Sequence, residues 1–170
     1  MSDLDKEILN EFVVESKGLI TGMIELLEGL EGDFSAVARL GDYGNHVDRI
    51  MGGAKNLALM VGPDDPLHLV ADYTALCKAV GYKASQIQSN PQFYDICVAF
   101  LLDATETLDT ILDHLDLPLV ELKKKFPSTF IERLRWISNE FSTEIRSSVG
   151  HTNALDQGGI DELMKKLGFG

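Results

Sequence analysis

Apolar residues recur along this chain at spacings of three and four, and no segment shows a sustained period-two alternation. The pattern predicts helices throughout. A first helix covers residues 3–31, with Ile8, Phe12, Leu19, Leu26 and Leu30 on one side. A second covers 34–61 and stops at the break Gly62-Pro63-Asp64-Asp65-Pro66. The third turns Leu67, Val70, Tyr73, Leu76 and Val80 inward. Ser89-Asn90-Pro91 starts a fourth, with Phe93, Ile96, Phe100, Leu108, Ile111 and Leu115 inward. Pro118 opens a short helix that stops near Phe126-Pro127. Thr129-Phe-Ile-Glu132 has the form of a capping box; it begins an amphipathic helix with Phe130, Leu134, Ile137 and Phe141 on one face. The fold class expected is all-α: an up-down four-helix bundle with additional C-terminal helices and a flexible tail. The bundle and its helical extension take residues 1–148, a polar linker 149–158, and a terminal peptide 159–170.

The terminal peptide has its own design. Ile160, Leu163, Met164 and Leu167 fall at i, i+3, i+4 and i+7, one apolar stripe. Asp161 and Glu162 lie in its first turn, and Lys165 and Lys166 in its last, which suits the helix dipole. Gly158-Gly159 and Gly168 punctuate the ends. About three turns are too few for a stable helix alone in water. The segment is therefore expected to fold on a surface, its own domain's or a partner's.

Charge and composition remove several classes. A net charge of −12 argues against DNA, RNA or an anionic membrane as the main partner. No apolar run approaches the ~20 residues of a membrane span, so no membrane insertion is expected. The acidic start Met-Ser-Asp-Leu-Asp-Lys lacks a signal-peptide core. Cys77 and Cys97 sit alone in apolar patterns and read as reduced core residues of a cytoplasmic protein. The chain carries no Cys-x-x-Cys, His-Glu-x-x-His or Walker loop, so no metal site and no cofactor are expected.

Two resemblances suggest a function. Ile160-Asp161-Glu162-Leu163-Met164, followed by Leu167-Gly168-Phe169, resembles the C-terminal tail of CheZ-type chemotaxis phosphatases and, more loosely, the N-terminal peptide of FliM-type switch proteins. Both bind phosphorylated CheY-type response regulators. The resemblance implies a partner-binding role for Ile160, Asp161, Leu163, Met164, Leu167 and Phe169. The helix order and loop lengths up to about Leu115 resemble the histidine phosphotransfer (HPt) domain of chemotaxis kinases. That family carries its phosphorylatable His in the second helix, with Lys three residues on and Gly next. This chain reads Asp48-Arg49-Ile50-Met51-Gly52 there, with Asp at the His position, Met at the Lys position, and Gly52 kept. A carboxylate at that position is incompatible with a phosphoimidazole.

The register follows from helix geometry. At about 100° per residue, Tyr43, Val47, Ile50, Ala54 and Leu57 share a core direction and Asp48 lies roughly 140° from it. His46, roughly 60° from the core direction, falls at a half-buried boundary and reads as structural. Gly41, Gly44, Asn45, Asp48 and Gly52 form an outward stripe. Interior glycine costs about 1 kcal/mol relative to Ala. The functional reading of the stripe is a flattened surface that another backbone can approach, and HPt domains meet response regulators on this face.

Hydrolysis of a regulator's aspartyl phosphate needs positioning and charge complementarity more than covalent help. CheZ-type and CheC–CheX-type phosphatases supply an acid, which meets a regulator Lys, and an amide, which orients water. The resemblance therefore nominates Asp48 and Asn45 as catalytic residues, with Gly52 in the partner contact and Mg2+ carried by the regulator. The chain has no Asp-x-x-x-Gln of the CheZ pattern. Glu7-Ile-Leu-Asn10 and Asp42-Tyr-Gly-Asn45 match the acid-x-x-Asn pattern, while Asn45–Asp48 runs amide first. The expected function is a phosphatase acting on phosphorylated CheY. The alternatives are a non-catalytic pseudo-HPt adaptor, a phosphotransfer protein using His46, and a dimerisation module, with the stripe of the last long helix as a homodimer seam.

Overall fold

The computed structural model describes residues 5–147 and 154–169, with backbone alone for 144–147 and 154–158. Among the described residues seven α-helices follow in order: α1 (Lys6–Leu30), α2 (Leu40–Ala58), α3 (Pro66–Ala84), α4 (Pro91–Asp113), α5 (Leu119–Lys123), α6 (Ser128–Ser147) and α7 (Ala154–Lys166). The described residues contain no strand. Local chemistry starts the main helices. Asp5 accepts from the Glu7 amide at 2.8 Å ahead of α1, and Asp65 accepts from Leu67 at 2.9 Å ahead of α3. Asn90 accepts from Phe93 at 3.0 Å ahead of α4. Each side-chain oxygen satisfies an amide that the helix itself leaves unpaired. Pro66 and Pro91 occupy the first turns of α3 and α4, where the missing N–H costs nothing.

Side-chain pairs fix the directions of the helices. Arg49 reaches Glu15, and Gly22 lies beside His46, so α1 and α2 run antiparallel. Asp48 meets Lys78, and Tyr43 lies against Gly81, so α2 and α3 do too. The Tyr94 hydroxyl donates to the Leu30 carbonyl at 2.8 Å, while Lys17 bridges Asp109 and Asp113, so α4 closes antiparallel on α1. Helix α3 is buried almost all round, because α2, α4, α5 and α7 all pack on it. Its inner side holds Tyr73 and Cys77, close to Tyr43 of α2. The Tyr43 hydroxyl shares a 3.2 Å hydrogen bond with Thr105, and Tyr73 donates to the Ala104 carbonyl at 2.7 Å. Burial raises both phenols well above their ordinary range and pushes the Cys77 thiol up to about 12. Cys77 and Cys97 are both buried, and neither is in a disulfide.

Several expectations need correction. The second helix does not begin at Phe34: Phe34–Arg39 is a 3-10 segment whose Ala36 departs from helical angles, and α2 starts at Leu40. Phe34 instead packs edge-on against Tyr94, ring centroids 5.5 Å apart. The inward stripe of α1 is Ser16, Ile20, Met23, Leu27 and Leu30. Phe12, Leu19 and Leu26 lie at its margin, and Ile8 is exposed. Ile96 is exposed rather than inward. Helix α6 starts at Ser128, so Thr129 lies inside its first turn; the Pro127 carbonyl accepts from the Phe130 and Ile131 amides. The stripe of α6 that could have formed a dimer seam, Phe130, Leu134, Ile137 and Phe141, is buried within this chain. Trp136 is 46% exposed, with its ring edge-on to Phe93.

The C-terminal segment differs most from expectation. The stretch given to a linker lies partly in 148–153, outside the described residues, and 154–158 are already helical. The terminal peptide is seated on the bundle rather than free.

Candidate functional site

The outward stripe of α2 forms as the helix geometry requires. Tyr43, Val47, Ile50 and Ala54 fill the core, and Asn45 and Asp48 are exposed between them on the far side. A Cβ built on Gly41, Gly44 or Gly52 would meet nothing within 4 Å, so these glycines leave open space. Gly41, Gly44, Asn45 and Asp48 border a shallow cleft of about 120 Å³ whose other wall is Lys78 and Tyr82 of α3. The Lys78 ammonium donates to Asp48 at 2.6 Å. Tyr82 stands 49% exposed at the rim. The cleft thus offers an amide, a carboxylate, an ammonium and a phenol on a surface lowered by glycine.

Sequence reasoning did not find Lys78 and Tyr82. They sit one turn apart on α3, between the apolar residues that dominated its reading. The available signal was their i, i+4 spacing on the edge opposite Asp48. Gly52 also changes meaning. It is half-buried, with open space at its Cβ position, whereas a Cβ on neighbouring Gly53 would stand 3.0 Å from the Phe12 ring. Close approach of α1 to α2 therefore needs Gly53 and leaves Gly52 unconstrained. His46 is half-buried, as expected for a boundary residue. Its Nδ1 lies 2.8 Å from the Asp42 carbonyl, and its Nε2 faces α1 at Gly22. With a carbonyl as the only partner chemistry available there, Nδ1 carries the proton and donates.

The second candidate element is the terminal peptide. Ile160, Met164, Leu167 and Phe169 are all buried, and Leu163 is partly so. They pack in a groove formed by α3, α6 and the α5–α6 turn. The ending Leu-Gly-Phe is a helix stop. Gly168 has φ +82°, the Phe169 amide donates to Met164 at 2.8 Å, and the Gly168 amide donates to Lys165 at 3.0 Å. This pair of bonds is the Schellman arrangement, for which glycine at the left-handed position is the natural residue. The reversal carries Phe169 onto Phe126 and Phe130, at 5.0 and 6.4 Å between ring centroids. Those rings continue inward through Tyr73 and Phe100. Two polar ties among the described residues hold the segment down. Arg135 donates to the Phe169 carbonyl at 2.6 Å, and Ser138 donates to Asp161 at 3.1 Å. Lys123, Lys124 and Lys125 lie exposed.

Among the described residues no cluster of His, Cys, Asp or Glu could hold a metal ion, and no helix is long and apolar enough to cross a membrane. No protein family matches this chain, and no match is found among the curated proteins or the solved structures.

Proposed function

We propose that this chain binds a phosphorylated CheY-type response regulator through the α2 stripe and accelerates hydrolysis of its aspartyl phosphate. The supporting observation is the exposed Asn45–Asp48 pair, one helical turn apart on a glycine-lowered surface beside the α2–α3 cleft. In this reading the Asn45 side-chain carbonyl accepts a hydrogen bond from water and aims it along the line of attack. Water oxygen bonds to phosphorus, the bond to the aspartyl oxygen breaks, and inorganic phosphate leaves while the regulator regains its carboxylate. Mg2+ bound by the regulator, not by this chain, would supply neutralisation of the developing charge. Asp48 meets a regulator lysine and fixes the orientation. The terminal peptide supplies a second contact, and tethering places it at millimolar effective concentration.

One observation favours a second reading. The Asp48 carboxylate already has an ammonium partner in Lys78, which suits a pseudo-HPt adaptor that binds the regulator and leaves its phosphate alone. Phosphate release from phosphorylated CheY at fixed Mg2+ decides between them. The intact chain, a chain ending at Asn153, and Asn45→Ala and Asp48→Ala variants are compared. Faster release with the intact chain, lost in both variants and weakened by truncation, supports the phosphatase. Binding with unchanged or slower release leaves the adaptor. Full activity in the two variants removes Asn45 and Asp48 from the site.

A further inference from the structure

The apolar edge of α7 is wholly committed inside the chain. Ile160, Met164, Leu167 and Phe169 have almost no exposed surface, so no partner can use them while α7 stays in its groove. Gly158 and Gly159 lie in the helix interior, where glycine weakens it. Thirteen residues are marginal as an isolated helix, so leaving the groove also unwinds the segment. Its described polar ties to the rest of the chain are the bonds of Arg135 to Phe169 and of Ser138 to Asp161. A short segment seated by one apolar edge, with glycines inside its helix, opens before the core does.

We propose that α7 is an exchangeable occupant of the α3–α6 groove, and that it leaves this groove to place the same four side chains on its partner. Docked and partner-bound states are then mutually exclusive, because one edge serves both. The groove is the resting receptor for an amphipathic segment with apolar residues at i, i+4, i+7 and i+9, and the chain fills it with its own terminus. The partner surface must offer the equivalent: an apolar slot that accepts a short helix ending in an aromatic residue. Identifying that partner as a receiver domain rests on the function proposed above.

The exchange separates the two ideas experimentally. Native-state hydrogen exchange on the full chain, without partner, reads the amides of Leu167, Gly168 and Phe169 against those of α3 and α4. Release predicts that the three exchange at least about tenfold faster than the core and by a separate opening. Exchange only with global unfolding overturns the proposal whatever the partner is. The Ser138→Asp variant places a carboxylate against Asp161 without altering the terminal peptide. It should speed exchange in α7 selectively and bind a beryllofluoride-activated receiver domain severalfold more tightly than the wild-type chain. Equal binding by both chains, with faster exchange in the variant, overturns mutual exclusion. Absence of any receiver binding by either chain brings down the receiver-domain reading and the partner named here. The exchange data still decide whether α7 leaves its groove.

Discussion

The Lys78 ammonium and the Asp48 carboxylate meet at 2.6 Å across the cleft between α3 and α2. Both side chains are about half exposed, 44% and 50%. A solvent-screened pair of this kind contributes about 0–1 kcal/mol. Its consequence is therefore chemical rather than structural: it decides whether the carboxylate is available. Lys78→Met should change unfolding free energy in urea by less than about 1 kcal/mol. Under the phosphatase reading it should also raise phosphate release severalfold, because Asp48 no longer has to exchange partners. A drop in release would mean that Lys78 itself contacts the regulator.

Two glycines predict opposite outcomes. A Cβ on Gly81 would stand 2.8 Å from Tyr43 Cδ1, and the Tyr43 ring is fully buried with its hydroxyl tied to Thr105. The ring has no room to swing away, so Gly81→Ala should cost about 1–3 kcal/mol by overpacking. Gly44→Ala meets nothing and should stabilise α2 by up to about 1 kcal/mol. On the proposed docking face that same methyl raises the floor of the cleft, so receiver binding should weaken while stability improves. Urea midpoints and binding isotherms on the two variants test this pairing.

The inward residues of α3 were legible because they recur at strict helical spacing: Leu67, Val70, Tyr73, Leu76 and Val80 are all buried. The face of α1 was not, because its apolar residues are spread around the helix. Only packing selects Ile20, Met23 and Leu27 over Leu19 and Leu26. Placement of Asp48 outward followed from the angular positions of Tyr43, Val47 and Ile50. Its partner Lys78 could not be assigned, since pairing across two helices depends on their register. The terminal segment shows the limit most clearly. Its amphipathic stripe was plain, yet stripe and spacing are the same for a helix seated at home and one seated on a partner. The aromatic groove that receives Phe169 is assembled from residues of α3, the α5–α6 turn and α6 that lie far apart in sequence.

Alkali should weaken this fold from about pH 9 upward. The Cys77 thiol titrates ordinarily at 9.0 and is pushed up to about 12 in the folded chain by burial. Between those values the unfolded chain has lost its proton and the folded chain keeps it. The contribution is fully present below pH 9 and falls by at most about 1.4 kcal/mol per pH unit above it. Tyr43 and Tyr73, raised in the same direction by burial, steepen the fall above their ordinary value of 10.0. Calorimetry between pH 8 and pH 11 should therefore show a declining Tm. Cys77→Ala removes the thiol's share, so its Tm should fall less over the same interval, although it starts lower.

His46 should not accept a phosphoryl group. Its Nδ1 is engaged with the Asp42 carbonyl at 2.8 Å, and its Nε2 points toward α1, 3.5 Å from where a Cβ on Gly22 would stand. In-line transfer requires the accepting nitrogen to face an incoming donor, and here that direction is occupied by the neighbouring helix. Incubation with a histidine kinase and ATP should leave no acid-labile phosphate on this chain. His46→Gln loses the ring's packing against α1 and should cost about 1 kcal/mol, the usual scale for a part-buried substitution. It should leave receiver binding and phosphate release at wild-type values, since the functional face at Asp48 points elsewhere. Acid-labile phosphate that disappears in His46→Gln would return the chain to the phosphotransfer class and displace Asp48 from the centre of the site.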